Sequence, residues 1–103
     1  MGFLLRMNKA FFKIMDIMTK DCYLYWYNDE IWLINPKTKE WVVSYYTKTK
    51  YVWWNYSFFY TVNSLLNVDN NQKELIKSWV ESKLGVDVGK NVEPDMVPHE
   101  YNW

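Results

Sequence analysis

Cys22 is the only thiol and His99 the only imidazole in the 103-residue chain. A thiolate–imidazolium pair is a nucleophile only where the two groups touch and a third group orients the imidazole. Nothing in the spacing supplies that third group, so Cys22 reads as a small buried side chain and His99 as a solvated one. Zinc takes three or four ligands from Cys, His and carboxylates, and one Cys with one His is a poor source; no metal and no cofactor is expected. Glycine occurs only at positions 2, 85 and 89, which leaves no glycine-rich loop to cradle a phosphate. Asp29 and Glu30 are adjacent carboxylates in a turn, read as solvated charges, and no spacing selects Asp16, Asp21 or Glu40 as a set. Asn55-Tyr56-Ser57 matches a glycosylation acceptor, taken as chance without a signal sequence. The chain is expected not to be an enzyme.

One chemical pattern survives. Lys37, Lys39, Lys48 and Lys50 fall in two short loops beside Trp41, Tyr45, Tyr46, Tyr51 and Trp53. Aromatic rings stack on unpaired bases, worth roughly 1–3 kcal/mol per base, while nearby lysines follow the phosphates. The competing reading is that these lysines solvate hairpin loops and keep sheet edges from pairing. Twelve basic and twelve acidic residues cancel, against the basic excess that duplex binding calls for. Charge is nevertheless segregated, with Arg6, Lys9, Lys13 and Lys20 near the start and Asp87, Glu93, Asp95 and Glu100 near the end. That acidic tail also holds Pro94, Pro98 and the anchors Met96, Val97, Tyr101 and Trp103. Such a segment docks as an extended peptide, either as a strap over its own sheet, the favoured reading, or in a partner's groove.

Half of the residues are hydrophobic and 23% charged, which excludes a disordered chain. Seven Trp, nine Tyr and five Phe are present. At roughly 150–250 Å² each, they exceed what one small core can hold, so several belong on a surface, a groove or an interface. The length fits one domain, 1–103. A single cysteine makes no intramolecular disulfide and points to a reducing, intracellular setting. No apolar run reaches the ~20 residues of a membrane span. Arg6, Lys9 and Lys13 interrupt any signal-peptide core, and Arg6 stands where a myristoylation motif wants Ser or Thr.

These groups must be positioned by an α+β fold. Leu4, Met7, Phe11, Ile14 and Met18 recur at helical spacing, with Phe12 and Met15 widening the stripe, and predict a helix over 3–19. Short aromatic and β-branched runs at 23–27, 31–34, 41–46 and 51–54, split by turn residues, predict a four-stranded antiparallel meander within 22–54. Pro36 suits the second position of its turn. Simple alternation in 41–46 puts Trp41, Val43 and Tyr45 on one face and Val42, Ser44 and Tyr46 on the other. Two more helices are expected over 55–85. Asn55 caps the first, ahead of Phe58, Phe59, Val62, Leu65 and Leu66. Asn71 and Glu74 have capping-box spacing before Leu75, Ile76, Trp79, Val80 and Leu84, and Gly85 closes that helix. Residues 86–103 read as an extended acidic tail.

Helices over one sheet face leave the other to present aromatics. No motif is specific enough to name a family. The leading expectation is a small non-enzymatic protein-interaction module that binds a protein partner or itself through that face, with the N-terminal helix as a further contact or part of the core. A homo-oligomer is compatible with it. The alternative is a single-stranded nucleic-acid binder. A carbohydrate or small-ligand module ranks last, for want of an ordered polar cluster. The Lys, Asn and Tyr content fits an AT-biased genome and an accessory, inhibitor or assembly subunit of viral, phage or organelle association.

Overall fold

The computed structural model describes residues 2–66, 72–89 and 92–95. Helix α1 (Gly2–Met18) buries Phe11 and Met15, four residues apart and both without solvent exposure. It stops where the Thr19 backbone N–H and Oγ both donate to the Met15 carbonyl, at 2.9 and 2.6 Å. The Cys22 N–H then donates to the Thr19 carbonyl at 2.9 Å and turns the chain into the sheet. Among the described residues, no helix is long and apolar enough to cross a membrane.

Strands β1 (Tyr23–Tyr27), β2 (Glu30–Ile34), β3 (Trp41–Tyr46) and β4 (Tyr51–Asn55) pair antiparallel in chain order, as the turn-punctuated pattern predicts. Each reversal uses one left-handed residue: Asn28 at φ 52°, Lys39 at φ 60° and Lys50 at φ 58°. Asn35 Oδ1 accepts from the Lys37 and Thr38 N–H groups at 2.9 and 3.4 Å, so a side chain closes the second turn around Pro36. Lysine tolerates the left-handed region at a cost of about 1–2 kcal/mol. The bonds from the Lys39 N–H to the Asn35 carbonyl and from the Lys50 N–H to the Tyr46 carbonyl, 2.8 and 2.7 Å, hold it there.

A fifth strand completes the sheet. β5 (Val92–Asp95) lies parallel to β4, with Val52 opposite Val92 and Trp54 opposite Pro94. This part of the acidic tail therefore docks on its own domain, but along the sheet edge and not as a strap across a face. The Tyr45 hydroxyl donates to the Asp87 carbonyl (3.1 Å), Lys50 pairs with the Asp87 carboxylate (3.1 Å), and the Gly89 N–H donates to the Lys50 carbonyl (3.3 Å). These contacts lead the chain to that edge. The tail anchors Met96, Tyr101 and Trp103, with His99, lie outside the described residues, as does Asn71 of the expected capping box.

Helices α2 (Tyr56–Leu66) and α3 (Gln72–Leu84) follow β4. Asn55 caps α2 as expected: its Oδ1 accepts from the Phe58 N–H at 3.1 Å, and its Nδ2 donates to the Trp41 carbonyl at 2.8 Å. One side chain thus fixes both a helix start and a strand start. Gly85 at φ 65° closes α3, its N–H donating to the Glu81 carbonyl at 2.9 Å. Phe11, Met15, Phe59, Val62, Ile76 and Trp79 from the three helices pack on Ile31, Leu33, Val43, Tyr45, Val52 and Trp54, all from one face of the sheet.

The other face carries its own apolar cluster: Trp32, Ile34 and Trp41, with Tyr25 and Trp53 packed against them. Here the simple alternation fails. A bulge shifts the register so that Val43 opposes Leu33 while Trp41 opposes Ile34. Val42 and Val43 then both enter the helix-side core, and Trp41 crosses to the face of Ser44 and Tyr46. Tyr45 stays on the helix side. Asn55→Ala removes the cap and the strand tie together; it should lower stability by about 1–2 kcal/mol, read as a lower urea midpoint at unchanged slope. An unchanged midpoint refutes the double role.

Candidate functional site

The sheet face away from the helices is laid out in rows. Tyr25, Trp32, Ser44 and Trp53 form one row across four strands; Tyr27, Glu30, Tyr46 and Tyr51 form the next. Trp32 and Trp41 meet edge to face, with centroids 5.6 Å apart and planes at 81°. Tyr51 and Trp53 lie 4.8 Å apart, and Tyr25 and Tyr27 stack at 6.5 Å. The Trp32 indole N–H donates to a Glu30 carboxylate oxygen at 2.9 Å, which orients the ring and satisfies its donor. Ser44, between Trp32 and Trp53, is fully buried, and its hydroxyl has no partner among the described residues.

The aromatics expected to work here divide into three groups. Trp41 is on this face but only 5% exposed, part of a packed cluster. Tyr45 is 4% exposed and belongs to the helix-side core, because it pairs with Ile31 and Val52, which point the same way. Tyr46, Tyr51 and Trp53 are half-buried on the outer face. The lysines are exposed, and three of the four face carboxylates: Lys37 with Asp21 (4.0 Å), Lys48 with Asp29 (3.2 Å) and Lys50 with Asp87 (3.1 Å). Lys39 is exposed at the left-handed position of its turn. The structure thus places the lysines in the hairpin loops, each of three set against an acid from a neighbouring segment.

Among the described residues, the most exposed large hydrophobic side chains on one element lie elsewhere, on β1. Tyr23, Leu24, Trp26 and Tyr27 are 42, 40, 64 and 56% exposed. Leu24 and Trp26 point to the helix side, opposite Leu33 and Ile31, yet remain open. β1 is the first strand of the sheet order, with β2 as its one neighbour among the described residues. A signal for this was present: the first strand of a meander stands at an edge, and Tyr-Leu-Tyr-Trp-Tyr carries no charge to blunt it. A second exposed group, Tyr56, Tyr60 and Leu65, lies along α2.

Cys22 leads directly into β1 and packs partly against the core. Burial raises its thiol above the ordinary value; the Lys83 ammonium acts against that shift and the Asp21 carboxylate with it. The thiolate fraction at a given pH is therefore smaller than that of a free cysteine. Among the described residues, no group of three or more His, Cys, Asp or Glu side chains converges as a metal site.

Two outcomes follow from this geometry. Trp41→Ala opens a cavity in the outer cluster and should cost about 3–5 kcal/mol, whereas Ser44→Ala removes an unpartnered hydroxyl and should be neutral or stabilising by up to about 1 kcal/mol; urea denaturation of both variants checks the contrast. Iodoacetamide at pH 8 should alkylate native Cys22 more slowly than it alkylates the unfolded chain, and equal rates would contradict the raised thiol. No family model, curated protein or solved structure matches the chain.

Proposed function

We propose that this chain is a small non-enzymatic protein-interaction module, an accessory, inhibitor or assembly subunit acting inside a cell, whose working surface is the β1 edge and the aromatics around it. The observation that carries the reading is the exposure of Tyr23, Leu24, Trp26 and Tyr27 on one uncharged edge strand. A bare aromatic edge offers a partner both backbone hydrogen bonds and large side chains of the kinds that dominate interface energies. Relative to the sequence expectation, the working surface moves from the centre of the outer face to its edge, since Trp41 and Tyr45 are packed away.

Single-stranded nucleic acid has less support. Lys37, Lys48 and Lys50 already face carboxylates, and a phosphate has to compete with each of them for its lysine. Trp fluorescence of the protein should therefore stay flat on titration with a single-stranded oligonucleotide at low salt; quenching that fades with added salt would revive that reading. The protein-interaction reading is tested by paired affinity capture with wild type and Trp26→Lys as baits, both verified as folded by circular dichroism. Loss of specific partners, a second copy of this chain included, from the Trp26→Lys bait supports it. Identical recoveries from the two baits overturn it.

A further inference from the structure

The two edges of the sheet differ in kind. β5 bears Glu93, Pro94 and Asp95, and charge and proline are what keep an edge from recruiting another strand. β1 at the opposite edge has neither. The ladder also fixes which backbone groups β1 leaves open. The Thr47 N–H donates to the Asp29 carbonyl (2.8 Å), so Asp29, Ile31 and Leu33 direct their backbone bonds toward β3. In an antiparallel ladder these alternate. Glu30, Trp32 and Ile34 accordingly bond β1 at Tyr27, Tyr25 and Tyr23, and the N–H and C=O of Leu24 and Trp26 point out of the sheet.

We infer that the β1 edge is completed by β1 of a second copy of this chain, antiparallel about a two-fold axis through Tyr25. The inference rests on the interaction-module reading and names its partner. In this register Leu24 and Trp26 of each copy exchange backbone bonds with Trp26 and Leu24 of the other, which uses all four outward groups. Tyr25 meets its own mate, and Tyr23 meets Tyr27, so each contact joins apolar or aromatic side chains.

A second copy fits better than a foreign strand because the edge is self-complementary about its centre. Pairing of β1 with β5 of another molecule would propagate without closing, and Pro94 opposes it. The exposed parts of Tyr23, Leu24, Trp26 and Tyr27 amount to about 400 Å² per copy, taking aromatics at roughly 150–250 Å² each. Across a pair that is at most about 800 Å² of side-chain surface before flanking backbone is added, below the ≈1,000 Å² at which specific interfaces begin, which makes this a weak, concentration-dependent contact. Asp21 of one copy approaches Asp29 of the other at each end of the contact. Each already has a lysine beside it, Lys37 and Lys48, which offsets the repulsion.

The test is molar mass by light scattering from about 1 μM to about 1 mM protein. Wild type should rise from 12.7 kDa toward twice that value. Trp26→Lys and Leu24→Pro should remain at the lower mass with unchanged circular dichroism, since the N–H lost at Leu24 has no ladder partner among the described residues. In a Cys22→Ser background, Tyr25→Cys should form a disulfide-linked dimer under mild oxidation, because unbonded antiparallel pairs have the Cα separation a disulfide needs. Leu24→Cys, facing Trp26 of the other copy, should form far less. A wild type that stays monomeric overturns self-pairing alone, and the paired capture then decides the wider reading. A dimer that survives both edge variants, or one that Tyr25→Cys fails to link, places the contact away from β1 and also overturns the inference.

Discussion

Strands β2 and β3 must be dry on both faces, and the rest of the architecture answers that demand. Ile31 to Ile34 are all buried, as are Trp41 to Tyr45. Three helices cover one side. On the other, the cover comes from the sheet's own side chains, most of them aromatic: Trp32, Ile34 and Trp41 close over one another with Tyr25 and Trp53 alongside. Large flat rings suit that task, because an edge-to-face pair excludes water while keeping favourable ring geometry. The aromatic excess in the composition is thus mostly structural at the sheet centre. Within the sheet it becomes available surface where the cover runs out, at β1.

The bulge between β2 and β3 makes this arrangement possible. Without it Trp41 would share a face with Val43 and Tyr45 and would crowd the core beneath the helices. By setting Val42 and Val43 on the helix side, the bulge sends the larger ring outward, next to Trp32. Asn55 then holds the Trp41 carbonyl in place, so the start of β3 is fixed by its bulge and by the head of α2. Local features that seem independent, a bulge and a helix cap, act on one residue.

Much of the fold was legible because it is written locally. The helical period of α1, the Asn55 cap, the Gly85 stop and the turn at Pro36 each need only neighbouring residues, and each stands where its pattern indicates. The strand faces were less legible, since a one-residue bulge inverts which side chains share a side and leaves no mark in the alternation. β5 was hidden for a different reason: Val-Glu-Pro-Asp has no strand character of its own and is a strand because β4 offers it an edge. The site followed suit. Lysines beside aromatics drew attention to the hairpin loops, but burial separates a ring that binds from a ring that packs, and burial of Tyr45 depends on Ile31 and Val52 across the ladder.

β5 joins β4 only after the chain has passed through both α2 and α3, whereas β1 to β4 are linked by short reversals. Loop-closure entropy orders these events in time: contacts near in sequence form with little loss, and the parallel pairing waits for two helices to be laid down. During that interval β4 is itself a bare edge, and the nascent sheet can be joined from either side. The acidic, proline-bearing segment is therefore a late gatekeeper, whose arrival converts a sheet open to growth in two directions into one open in a single direction.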